Sequence, residues 1–353
     1  MPSATRHGSP ANAIWAHAML VAVMVALGQS GTSVRGRKRC NSMQRGDNTA
    51  GPLYRPYRWA AADFQLGLRP MRPESWILIG AGHSEFMRQK RERLDGHRQF
   101  YYRTLPDSLP AQRELRERVS AHLAADHPEC FEKSGSVVRS LITGQTLDLH
   151  DDSTEPLMQL SYLVEEDFML LEEVRRTLQI TAASNAYSSS GRLVGSVGHG
   201  MEWAHEPVPQ LTRKLGGKIN RVLGSIHAGT PCERFNWQIT PIATVFFPHD
   251  DPHAANAAAM REVLAELCRD PARAGDLLWV RVERQTLMRL PDSNAVAFSL
   301  HTYSDPLSCL KSDRESVRAI WTLLNDYSEE RWKYSEMDIV REPLMIWLEA
   351  AAK

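Results

Sequence analysis

The chain has no surplus of either charge: Lys+Arg and Asp+Glu are both 42 among 353 residues. Such a balance gives no overall electrostatic footprint for nucleic acid or acidic partners, although it leaves local patches open. Cysteine is scarce. The five, at 40, 130, 232, 268 and 309, form neither a CxxC pair nor a zinc-type cluster. An odd, scattered set fits reduced thiols better than a disulfide framework. The chain also lacks GxSxG, a Walker loop and HExxH, so the common hydrolase and nucleotide signatures are missing. Gly80-Ala81-Gly82 follows a strand-like run but has no second half of a dinucleotide fingerprint. There is no internal repeat.

A long apolar run is missing too. The mostly apolar stretch 14–27 has 14 residues and is interrupted by His17, whereas a span needs roughly 20 residues. Three readings compete for it. Arg6 and His7 before it, with Ala26-Leu27-Gly28 at its end, would make a signal peptide. Arg35, Arg37, Lys38 and Arg39 after it would make a membrane anchor with the following domain in the cytoplasm. A start mis-assigned upstream of Met43 is the third. The unpaired look of the cysteines favours an anchor or a dispensable extension over secretion. The expected organisation is therefore an extension over 1–50, touching membrane through 14–27, and one large domain over 51–353. The expected location is cytoplasmic, or membrane-anchored and facing the cytoplasm.

What is present is period. Residues 84–98 and 110–125 read as helices, the second with Leu115, Val119 and Leu123 on one face. A helix is expected over 155–164 with Thr154 as N-cap, and others over 210–225, 252–269, 306–325 and 339–352. Strands are expected at 76–79, in a pair within 137–149 around Thr143-Gly144, and at 238–247. A hairpin over 167–173 and 178–187 would turn at Arg175-Arg176-Thr177. Strands in the middle and late chain, with helices around them, predict an α+β domain on an antiparallel sheet flanked by helices.

The most informative stretch is 277–307, two strands joined by a turn. Leu278, Val280, Val282, Arg284 and Thr286 share one face, while Trp279, Arg281, Glu283, Gln285 and Leu287 share the other. Arg284 interrupts an apolar face, and a guanidinium there requires an anion. The anion is either an internal carboxylate or that of a ligand.

Other candidates weigh against simple structural readings. His249-Asp250-Asp251-Pro252-His253 carries metal-ligand residue types but stands where an aspartate would cap a helix. His150-Asp151-Asp152 reads the same way. Glu165-Glu166-Asp167 begins the first hairpin, so at least one acid points inward, as a base or cation receptor, unless the run is solvated. His205 precedes Pro207-Val208-Pro209, which stiffens the backbone beside it.

Five strings in order resemble one family: GLRPMRPESWI (67–77), LVEEDFMLL (163–171), HEPVP (205–209), ERFNW (233–237) and RVERQTLMRLPDSNAVAFSLHTYSDPL (281–307). The set resembles the α-subunit family of haem-dependent oxidative N-demethylases, over roughly 55–350. The resemblance implies a PAS-like fold that binds haem b, reacts with O2 and demethylates a small amine. Electrons would come from NADPH through a separate partner carrying FMN and a 2Fe–2S cluster, since no stretch here looks like those modules. The resemblance offers His205 as axial ligand, with His199, His227 and His301 as rivals. It offers Arg284, with Arg281 or Arg289, for the haem carboxylates, Glu166 as the receptor of an ammonium substrate, and Asn236 and Trp237 as pocket walls. Ser188, Gly191, Glu165 and Ser196 depart from the family's pattern, which leaves the substrate open. The rival readings are a non-catalytic PAS-like module, with or without haem, used for sensing or interaction, and a membrane-tethered accessory protein.

Overall fold

Alternation of side chains over 279–289 and 296–306 makes the two longest strands, because a period of two places one set on each face of a sheet. The computed structural model describes residues 52–62, 67–187, 192–200, 222–243 and 252–353. In it, β9 (Trp279–Arg289) and β10 (Val296–Pro306) pair antiparallel without a register break. Arg289 ties their turn together, donating to the Ile226 carbonyl at 3.1 Å and the Asn294 carbonyl at 2.9 Å.

The remaining main-sheet strands are β1 (Arg69–Pro70), β2 (Tyr102–Thr104), β6 (Asp167–Val174), β7 (Thr177–Ser184) and β8 (Cys232–Thr240). The order is β1-β8-β9-β10-β6-β7-β2, and every pair is antiparallel. A second sheet joins β3 (Phe131–Ser134), β4 (Val137–Ser140) and β5 (Thr146–Asp148). The molecule is a mixed α+β domain on an antiparallel sheet, as the element pattern implied.

Helices cover one face of the main sheet from two sides. α1 (His83–Tyr101), α2 (Leu109–Asp126) and α3 (Pro156–Ser161) pack with Phe168, Leu170, Met288 and Ala297. Leu115, Val119 and Leu123 are fully buried in that core, the face their spacing predicts. At the other side, Val280, Val282, Ile239 and Tyr303 meet the C-terminal helices Arg314–Asn325 and Arg341–Ala352. The opposite sheet face carries a separate apolar cluster, including Met169, Leu171, Leu287, Phe298 and Leu300, covered by Val194, Val197, Leu223 and Ile226.

Some expectations need correction. Residues 76–79 form no strand: the Ile77 amide donates to His122 Nε2, Leu78 to Glu166 and Gly80 to Glu165, so side chains take the bonds a ladder would use. The helix expected at 155–164 is only Pro156–Ser161, with Glu155 rather than Thr154 at its cap position. β8 begins six residues earlier than the expected strand at 238, and β3 adds a partner to the expected pair. The expected helix 210–225 lies mostly outside the described residues, as do His205, His249 and all of 1–50 with its run 14–27. Among the described residues, no helix is long and apolar enough to cross a membrane. The described cysteines 130, 232, 268 and 309 are all free thiols.

Candidate functional site

Because β9 is regular, Arg281 and Arg284 point to opposite faces of the sheet. Directly paired residues share a face, so Phe235, Arg284 and His301 form one row and Trp237, Val282 and Tyr303 the next. On the opposite face, Asn236, Glu283 and Thr302 form one row and Gln238, Arg281 and Ser304 another. One ligand lying on a single face therefore touches Arg284 and Trp237, or Arg281 and Asn236, and not both pairs.

The anion that Arg284 requires is present in the chain. Its Nε donates to Glu233 Oε2 at 3.1 Å, Nη1 to the Trp76 carbonyl at 3.0 Å and Nη2 to the Ser75 carbonyl. Glu233 also accepts from Arg69 at 3.1 Å. The guanidinium thus pins the 75–76 turn onto the sheet.

Beside it lies a wholly buried ionic cluster. Glu165, Glu166 and Asp167 are each 1% exposed. Glu165 Oε1 meets His83 Nδ1 at 2.9 Å, and its Oε2 lies 3.4 Å from His301 Nε2. Glu166 Oε1 accepts from the Leu78 amide at 3.2 Å and lies 3.9 Å from His301 Nδ1, while its Oε2 is buried without a hydrogen-bond partner. Burial opposes the charge on Glu166, but His301 and the Leu78 amide hold its carboxyl below the ordinary range. Asp167 caps the Ala186 and Tyr187 amides at 3.0 and 2.9 Å. Lys90, fully buried, donates to the carbonyls of Val164 and Glu166 at 3.0 and 2.6 Å and lies 3.4 Å from Asp167. His301 stacks on Tyr303 with centroids 4.5 Å apart.

The other face holds a different set. Arg234, Arg281, Glu283 and Gln285 are all buried on it. Arg234 donates to Gln285 Oε1 at 3.1 Å, and Glu283 Oε2 accepts from Asn236 at 3.4 Å and Gln285 at 3.2 Å. Burial pulls Arg234 down to about 9 and pushes the Glu283 carboxyl up. Glu336, near Arg281, is pushed up to about 8 by burial and by Asp338, and its Oε1 has no hydrogen-bond partner. The buried hydroxyls of Thr302 and Ser304, paired across the strands with Glu283 and Arg281, likewise have none. Two arginines, a carboxyl of raised pKa and two unsatisfied hydroxyls make a polar, cation-rich half-face. It continues along the sheet into the apolar cluster of Met169, Leu287, Phe298 and Leu300.

The other sequence candidates scatter. Arg289 lies at the turn and is spent on backbone carbonyls. Trp237 packs edge-on to Tyr57 with centroids 5.5 Å apart. His199 and His227 are exposed. Asp151 accepts from the Ser153 amide at 2.8 Å, the turn role expected for that run. Among the described residues, no group of three or more His, Cys, Asp or Glu is placed to hold a metal ion.

Sequence reasoning missed His83, Lys90, Arg234, Thr302, Ser304 and Glu336. Arg234 was accessible through strand alternation, as it shares parity with Asn236. His83 and Lys90 come from a helix with no visible link to residue 165.

The family model for the haem-dependent oxidative N-demethylase, alpha subunit-like, matches residues 67–345. That match spans the whole main sheet, both buried polar groups and the helix Arg314–Asn325, and the chain belongs to this family.

Proposed function

We propose that the chain is a haem-dependent, monooxygenase-type oxidative N-demethylase acting on a small amine with O2. Haem b is an apolar disc with two carboxylates and an iron that needs an axial donor. The donor set of the Arg281 face fits it: cations and hydroxyls at one end, large apolar side chains at the other. The observation that carries the reading is the pair of buried, unsatisfied hydroxyls at Thr302 and Ser304, on the same face as Arg234 and Arg281. Buried polar groups without partners are costly, so a polar ligand belongs there.

Arg234 and Arg281 would hold the haem carboxylates, and His205, outside the described residues, would supply an imidazole to the iron, as its HEPVP string suggests. When bound, haem supplies a redox-active iron for O2 chemistry. The protein's own part is binding, orientation and exclusion of water. Phe298 and Leu300 line the dry end, and Asn236 and Gln285 fix the Glu283 carboxyl.

Glu283 replaces Glu166 as the carboxyl placed to receive an ammonium group, because it shares the face of Arg281 while Glu166 belongs to the His301 cluster. A cation beside Glu283 favours its charged form, against the burial that raises its pKa. Electrons come from NADPH through a separate partner carrying FMN and a 2Fe–2S centre.

The test is turnover. The full chain supplied with haem, a chemical reductant, O2 and dimethylamine should release formaldehyde, and Glu283→Gln should lower that rate by about 100-fold. A haem-loaded wild type that consumes neither amine nor O2 would overturn the enzymatic reading in favour of a sensing module.

A further inference from the structure

The β6–β7 hairpin turns on Arg175 and Arg176, whose φ angles are 51° and 67°. A two-residue turn with both central φ positive is the type that Asn-Gly fits and that side chains with a full Cβ resist. Both arginines are exposed. Among the described residues, neither side chain has a hydrogen-bond or ion-pair partner. The turn therefore uses two residues that suit it poorly and gives them nothing to hold within the fold. Strain kept at an exposed, charged tip points to binding.

The surroundings of the tip locate its use. Segment 198–200 packs on β7 next to it: the Ile180 amide donates to the His199 carbonyl at 3.0 Å and Gly198 donates back at 2.8 Å. Gly200 bridges to Gln179, and a Cβ there would sit 3.5 Å from the Thr177 side chain. A partner held at the tip therefore also stands beside segment 198–200. Glu173, also exposed, is the acid just before the turn in sequence, so the tip itself remains net positive.

We propose that Arg175 and Arg176 dock the acidic surface of the partner subunit that delivers electrons. This rests on the oxidative reading above, since that reaction consumes electrons and the sequence carries no dinucleotide fingerprint or CxxC motif of its own. Two adjacent guanidinium groups recognise carboxylates by forked hydrogen bonds, and on a net-neutral chain they set the approach of an acidic partner locally.

The experiment uses the full chain as wild type, as Arg175→Asn with Arg176→Gly, and as Arg175→Lys with Arg176→Lys. The probe is an acidic 2Fe–2S ferredoxin, with its Kd measured by calorimetry between about 50 and 300 mM NaCl, and thermal unfolding recorded alongside. The expected result is wild-type binding that weakens with salt. The Asn-Gly variant should melt a few degrees higher yet bind about tenfold more weakly. The Lys-Lys variant, which keeps the charge but not the forked bonds, should bind with an affinity between the other two and show no gain in Tm. Equal binding by the Asn-Gly variant, or no binding by wild type at low salt, would overturn the docking assignment. The haem absorption band of the same samples reports the oxidative reading separately: a haem-loaded chain whose ferredoxin binding ignores the tip overturns the docking alone.

Discussion

Arg284 and Arg281 show how much a single position on a strand decides. Three residues apart, they meet different neighbours: Arg281 lies beside the Thr302 and Ser304 hydroxyls, and Arg284 beside the His301–Glu166 cluster. Arg284 has Glu233 and two backbone carbonyls, so its removal acts first on the fold. Arg284→Met should cost about 3–5 kcal/mol in urea unfolding, as expected when a buried charge network loses one partner. Haem retained per folded molecule should stay near wild type; selective haem loss at unchanged stability would instead make Arg284 a carboxylate clamp. Glu336 gives a pH signature. Its folded pKa is raised to about 8, so the folded state holds its proton more tightly than the unfolded chain does. Its contribution to stability is complete below the ordinary carboxylate range and is lost as pH rises through about 8. Glu336→Gln should therefore flatten the fall in Tm between the ordinary carboxylate range and about pH 8. An unchanged pH slope would show that the carboxyl is not protonated in the fold.

Among the elements, β9 and β10 were legible because alternation survives even where a charge interrupts it. The helix Leu109–Asp126 was legible because three leucine-type positions four apart make one stripe. β8 was not, because Glu233, Arg234, Asn236 and Gln238 place polar residues on both its faces and hide the period. Segment 76–79 misled for the opposite reason: its apolar residues resemble a strand, yet its amides are satisfied by His122, Glu165 and Glu166, between 45 and 88 positions away in sequence. The site was half legible. The residue types are legible in the strings, whereas the face each occupies follows only from the strand register. Another element-level link is testable. Asp313 caps the helix Arg314–Asn325 through the Ser316 amide and holds Arg55 and Arg58 of the N-terminal lead-in. Burial opposes its charge, but these partners hold its pKa at about 2. Asp313→Ala should lose about 1–2 kcal/mol from the cap alone. The wild-type contribution should persist above the ordinary aspartate range and fade as pH drops toward 2, measured by unfolding at stepped acid pH. Equal acid sensitivity in the variant would deny Asp313 that role.

At the scale of the whole molecule, one antiparallel sheet separates two buried polar systems. The His301 face is closed by α1, the 75–80 segment and the C-terminal helices, and its charges are largely matched within the chain. The Arg281 face combines cations, raised-pKa carboxyls and unsatisfied hydroxyls with an adjoining apolar surface. The proposed reading places the cofactor on the second face and leaves the first to hold the scaffold. It is tested by the ratio of Soret to protein absorbance after haem loading and gel filtration, compared for the wild-type chain and Arg281→Met. The expected result is a strong Soret band in wild type and at least about a tenfold weaker haem affinity in the variant. A wild type with no Soret band, or an Arg281→Met chain that holds haem equally well, would contradict it.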